Sequence, residues 1–256
     1  MLDNNRFPNH QLNNQDDEAE MTFLEHLEEL RWRIIYSVIG ILIGTIIAWI
    51  FIDFLVESIL LRPAISNKIS LQNLKPFGQI FLYFQIAIIG GIILSLPNIF
   101  YQLWKFISPA LRRNERKYIL AIVIFSSVCF LAGILFAYFV MLPLTLSFAS
   151  QFGTTAIKNE FAIDEYMSII ISVMLAAGLV FELPMLSFFL SRLGILTPEF
   201  MKKYRKHSIV LILIAAAILT PGTDPISQLI LAVPLFLLYE ISILVSKLSQ
   251  KKVVEQ

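Results

Sequence analysis

Deep in the apolar stretch "AAGLVFELPML" stands a single carboxylic acid, Glu182. An ionisable group buried in a membrane costs about 2.5–3.5 kcal/mol on insertion scales, so it faces a helix bundle or a watery cavity rather than lipid. Two readings stay open: a group that works by exchanging a proton or a cation, and a neutral carboxyl hydrogen-bonded to a neighbouring helix. A second cluster of charge lies in "FLEHLEELRWRII" (Phe23 to Ile35), with three glutamates and two arginines. Phe23, Leu27, Leu30 and Ile34 recur at helical spacing and give one apolar face suited to an interface, while Glu25, Glu28 and Glu29 fall largely on the other. Glu29 and Arg33 are four apart in the favourable order, a pair worth about 0.2–0.5 kcal/mol when exposed. The segment is either a solvated amphipathic helix with acids near its positive dipole end, or it presents a carboxylate to a cationic ligand. In "YQLWKFISPALRRNERKY", Glu115 sits among Lys105, Arg112, Arg113, Arg116 and Lys117. It is either paired by these neighbours or turned toward a partner's arginine.

Other chemistry finds little to build on. His10, His26 and His207 are scattered, Cys129 is the single cysteine, and "HLEEL" lacks the second histidine of a zinc helix, so no metal site is expected. There is no G-x-S-x-G elbow, phosphate loop or dinucleotide loop, and no nucleophile with a base beside it. Catalytic residues and cofactors are therefore expected to be absent, and an intramembrane hydrolase is disfavoured. A net charge of +1 with its lysines and arginines distributed by position gives no call for DNA or RNA, so nucleic acid is not an expected partner.

The elements that hold these acids are set by hydropathy. The 256 residues are 57% hydrophobic and 15% charged, with mean hydropathy +0.74, whereas soluble domains carry about 25% charged residues. A span needs about 20 apolar residues. Six segments approach that: 34–52, 77–96, 118–142, 166–190, 208–220 and 226–245, the fifth having only thirteen residues before "TPGTDP". With the amino terminus inside, sixteen of the twenty lysines and arginines fall on inner segments, which supports six spans and both termini cytoplasmic. The expected organisation is a disordered polar tail over 1–20, with no signal-peptide pattern, an amphipathic lead-in helix over 21–33, a six-span domain over 34–245 and a basic cytoplasmic tail over 246–256. Pro97, Pro109 and Pro143 are expected at turning points, and Pro184 and Pro234 to kink their spans. "GILIG" at Gly40 to Gly44 suits close helix packing, inside the chain or in self-association. On the residues alone, an all-α polytopic bundle could be a proton- or ion-coupled small-molecule transporter working through Glu182.

Taken together, "FLEHLEELRWR", "LPNIFYQLWKFISPALRRNERKY", "GILFAYFVMLPL", "FELPM" and "LTPGTDPISQLILAVPLFLLYEI" resemble the TatC family, in family order, over roughly Met21 to Lys247. Lys105 beside Trp104 and the length of the "TPGTDP" turn depart from the usual pattern. The resemblance implies six transmembrane helices in a concave bundle with short fifth and sixth spans, in a bacterial cytoplasmic or thylakoid membrane. It implies a non-enzymatic receptor and core subunit of the twin-arginine translocase. Such a subunit binds the consecutive arginines of signal peptides on folded precursors, works with single-span TatA/TatB-type subunits, and draws on the proton gradient. By motif position it implies Glu29 and Glu115 as the binding acids, with Arg31 in the first motif and Phe106 and Pro109 in the second. Glu182 corresponds to the family's intramembrane acid and Asp224 to the acid of the last outer turn.

Overall fold

The computed structural model describes residues 23–67, 69–110, 119–151, 160–192, 194–219 and 225–254. Glu115, Asp224 and the polar tail 1–20 lie outside the described residues. The chain is helical almost throughout: α1 (Phe23–Ile50), α2 (Arg62–Ser66), α3 (Gly78–Leu94), α4 (Leu96–Ile107), α5 (Ile119–Phe136), α6 (Leu142–Gln151), α7 (Ile163–Phe181), α8 (Leu183–Arg192), α9 (Pro198–Lys203), α10 (Arg205–Leu219) and α11 (Pro225–Val254). The charged lead-in and the first apolar run form one uninterrupted helix of 28 residues. Along it Leu42, Ile46 and Ile50 are 58%, 63% and 71% exposed, a continuous aliphatic face that water would not tolerate.

Among the described residues three runs are long and apolar enough to cross a membrane, Leu24–Ile50, Ile119–Ser147 and Ile163–Arg192, and α3 with α4, bent by 53°, passes the same test only as a pair. That bend corrects the expected loop after the second span. "LPNIFYQLWKFI" is a helix, because its apolar residues recur on one face and Pro97 sits in its first turn, where no N–H is needed. Nor does Pro143 end the third span. A π-helical turn, Ala137–Met141, precedes it, and the widened turn accommodates a ring that would clash in a regular helix. Pro184 does break its helix: α7 stops at Phe181 and α8 starts at Leu183, with Glu182 in the gap. Pro234 is absorbed inside α11. The thirteen-residue fifth segment lengthens to 15 as α10, because Arg205, Lys206 and His207 continue the helix on its polar side.

The "GILIG" glycines are used inside the chain. A Cβ on Gly44 would stand 2.5 Å from the Gly91 carbonyl oxygen, and one on Gly40 would stand 2.3 Å from the Asn98 side chain, so α3 and α4 both lie directly on α1. Glycine allows that approach because there is no side chain to move aside. The main core gathers where Tyr166, Met167 and Ile170 of α7 meet Met141, Leu142 and Ala64, all buried. Tyr166 is 0% exposed, and its hydroxyl accepts from the Ala64 N–H at 3.0 Å and donates to the Leu60 carbonyl at 2.9 Å. This clamps the segment after α1 to α7.

One element that hydropathy did not foretell is a small parallel ribbon, β1 (Ser70–Gln72) on β2 (Glu160–Ala162), pairing Leu71 with Phe161. Gln72 bonds Glu160 across it and Lys75 pairs with Asp164. The hydrogen bond and charge of Asp164 raise the pKa of the Lys75 ammonium above its ordinary value.

Candidate functional site

Two helices build the first site. From the bend at Ser95, α4 runs back along α1 and places a row of polar side chains in their seam. The Asn98 side-chain amide donates to the Tyr36 carbonyl at 3.1 Å, the Gln102 amide donates to Asn98 Oδ1 at 3.4 Å, and Arg33 donates to Gln102 Oε1 at 3.2 Å. One turn closer to the start of α1, Arg33 donates to Glu29 Oε1 at 2.8 Å, with both side chains 18% exposed. Beyond them the His26 ring stacks on Phe106, with centroids 4.4 Å apart and planes 17° from parallel. The row follows from spacing. Asn98, Gln102 and Phe106 are four apart on α4, and His26, Glu29, Arg33 and Gly40 share one face of α1.

This changes what Glu29 is. The sequence suggested an exposed pair of small value, whereas the pair is mostly buried under α4. Glu29 Oε2 and Arg33 Nε are both buried without a hydrogen bond. A buried polar atom left in that state costs about 1–3 kcal/mol, more if charged. The carboxylate thus holds Arg33 through one oxygen and keeps a second acceptor.

Arg31 goes elsewhere. Two positions from Arg33, and so about 200° around the helix at 3.6 residues per turn, it is exposed and pairs with Glu28 at 3.3 Å. It lies over Trp32, 5.9 Å from the ring. Glu29 and Phe106 share the seam; Arg31 does not. Pro109 is exposed in the 3-10 turn Ser108–Ala110 that ends α4, from which the chain continues toward Glu115. Sequence reasoning missed His26, Gln102 and Asn98. The signal for the last two was their spacing of four, which puts two amides on one face of an otherwise apolar helix.

The second site surrounds Glu182, 7% exposed, in the break between α7 and α8. Its carboxyl lies beside the Ser126 hydroxyl and near Cys129, both on α5. Glu182 Oε1 and Ser126 Oγ are buried without a hydrogen bond of ordinary geometry. The two helices meet closely here: a Cβ on Gly133 would stand 2.6 Å from the Ala177 carbonyl oxygen, and one on Gly178 would stand 2.5 Å from the Phe130 ring. Pro184 has no N–H to give the Val180 carbonyl, and the Glu182 N–H turns to the Leu179 and Val180 carbonyls instead. By contrast, Glu240 of α11 is paired with Arg205 at 2.5 Å, a link between α10 and α11.

Long helices with exposed aliphatic faces, an acid kept in the middle of one, and a buried carboxylate–guanidinium seam at the end of another define an all-α multi-pass membrane protein. Comparison with known proteins narrows this. Residues 25–234 match the family described as Sec-independent protein translocase protein (TatC). The Sec-independent protein translocase protein TatC of Carboxydothermus hydrogenoformans is 41% identical over 236 residues, covering 92% of this chain and 97% of that one. Its counterpart in Aquifex aeolicus is 38% identical over 236 residues, covering 91% and 97%. A crystal structure of the twin arginine translocase receptor TatC matches with a TM-score of 0.78 at 37% identity, over 88% of this chain and 100% of that one. The chain belongs to the TatC family of Sec-independent protein translocase proteins. These relatives carry the names of translocase proteins, and the small-molecule transporter reading of Glu182 finds no support among them.

Proposed function

We propose that this protein is the receptor subunit of a twin-arginine translocase, and that the α1–α4 seam with Glu115 is where it takes the consecutive arginines of a signal peptide. The observation that carries this is the second oxygen of Glu29, buried without a partner in the α1–α4 seam while the first is held by Arg33. A guanidinium is always charged and meets carboxylates with a planar fork of donors, which a lysine ammonium does not have. In this reading Glu29 takes one arginine and Glu115 the other. His26 and Phe106 offer a flat aromatic surface over which a guanidinium can stack. Arg31 sits at the rim, and Pro109 directs the chain out of α4 toward Glu115. The apolar part of the signal follows the bundle toward Glu182.

The arrangement we propose has six spans, both termini cytoplasmic and the seam at the cytoplasmic surface of a bacterial inner or thylakoid membrane. The segment 21–33 leads in, 34–245 is the translocase body, and Asp224 is the acid of the last outer turn. The protein works without catalysis or cofactor, with TatA/TatB-type single-span subunits and energy from the proton gradient. A photo-crosslinker beside the arginine pair of a precursor tests the assignment. It is expected to label peptides containing His26 and Phe106; labelling confined to the ribbon at Leu71 and Phe161 would overturn it.

A further inference from the structure

A cavity of about 720 Å³ opens in the bundle, and neither Glu29 nor Glu182 lines it. That volume lies within the roughly 300–1,000 Å³ of small-molecule sites. Its walls are Ile86 and Ile93 of α3, Ile134 of α5, and Ile171 and Met174 of α7. Its polar groups gather at one end, where Arg62, Ser66 and Asn67 of the α2 segment stand. The lip is formed by Phe54, Leu135 and Phe139, which are 59%, 55% and 68% exposed, so the cavity opens sideways onto the surface that faces hydrocarbon.

Two further observations bear on its use. The π-helical turns Phe54–Leu60 and Ala137–Met141 both border the cavity and are joined where the Tyr138 hydroxyl donates to the Ile59 carbonyl at 2.8 Å. Such insertions are rare and gather at functional sites. Arg62 is exposed, forms no ion pair among the described residues, and lies close enough to the Tyr138 hydroxyl for its charge to act there. An apolar slot with a lateral mouth and one unpaired cation at its end complements an amphiphile with an anionic head.

We propose that this cavity is a lipid site that receives one acyl chain of a glycerophospholipid whose phosphate is held by Arg62. An extended peptide fits poorly, because its N–H and C=O groups would meet walls without partners, and the Asn67 amide already donates to the Pro63 carbonyl at 2.8 Å. A helical peptide, about 10–12 Å across, would fill the space within roughly one to two turns. A hydrocarbon chain needs no polar partners. Given the orientation proposed above, the lipid belongs to the outer leaflet; the site itself does not depend on how signal peptides bind.

The test uses the full-length protein in liposomes containing a phosphatidylglycerol with a mid-chain diazirine, with adducts mapped by mass spectrometry. Adducts are expected to concentrate on peptides carrying Ile93, Ile171 and Met174. Arg62→Gln should lower that yield about tenfold, the lower end of a charge-assisted hydrogen bond, while labelling of the exposed α1 face at Leu42 and Ile46 stays unchanged. Arg62→Lys, which keeps the charge, should restore most of the yield. Equal labelling of the cavity and the α1 face, indifference to Arg62→Gln, or loss of cavity adducts when a signal peptide is added would each overturn the proposal, the last by making the peptide the occupant.

Discussion

Replacing Glu29 and Glu115 together by alanine is expected to abolish detectable crosslinking of a twin-arginine precursor, while the protein still inserts into the membrane at its normal level. Each charge-assisted hydrogen bond lost at a partly dehydrated site is worth about 1.5–3 kcal/mol, or roughly tenfold to a hundredfold in affinity. With each acid serving its own arginine, the losses should multiply. The single changes differ in an informative way. Glu29→Ala also removes the carboxylate that holds Arg33 in the seam, leaving that guanidinium with Gln102 alone. Glu29→Gln keeps an acceptor for Arg33 and most of the packing, so it isolates the charge: it should lose binding without losing helix contacts. Glu29→Gln binding as well as the original chain would remove Glu29 from the site.

The second large effect concerns Glu182. Glu182→Gln keeps the volume and a hydrogen-bonding group beside Ser126 but cannot carry charge or exchange a proton. Precursor binding should remain within about twofold, while transport of a folded precursor in energised membranes falls about tenfold or more, a difference of at least ~1.4 kcal/mol in the limiting step. Binding and transport are expected to separate because Glu182 lies in the helix break on α7, beside α5, whereas the proposed recognition seam is built from α1 and α4. If Glu182→Gln lost binding instead, this acid would belong to the recognition site.

The three long apolar helices were legible because long apolar runs have few alternatives, and Pro184 announced the break that holds Glu182. The second helix of the site was not legible as a helix. "LPNIFYQLWKFI" is amphipathic, so a search for uniform hydropathy reads it as loop, and only contact with α1 explains why its Asn98 and Gln102 face inward. The value of the Glu29–Arg33 pair was hidden for the same reason. Spacing of four predicts the pair on any helix, but its burial depends on α4 continuing along α1 past the 53° bend at Ser95, a tertiary event. Arg31 and Arg33 look equivalent in sequence and part company through helical phase alone. The π-helical turns and the β1–β2 ribbon carry no local code of comparable strength; they arise where packing, not propensity, sets the backbone.

Carboxylates at the α1–α4 seam are proposed to read a pair of guanidinium groups. The most direct test is the equilibrium affinity of the purified protein for one signal peptide with two consecutive arginines and for the same peptide with two lysines, each against Glu29→Gln. The arginine peptide is expected to bind the original chain at least about tenfold more tightly than the lysine peptide, through forked contacts a lysine cannot make. In Glu29→Gln that preference should shrink to near parity. Equal affinity of the original chain for both peptides, or a preference that survives Glu29→Gln intact, would contradict that role for the seam.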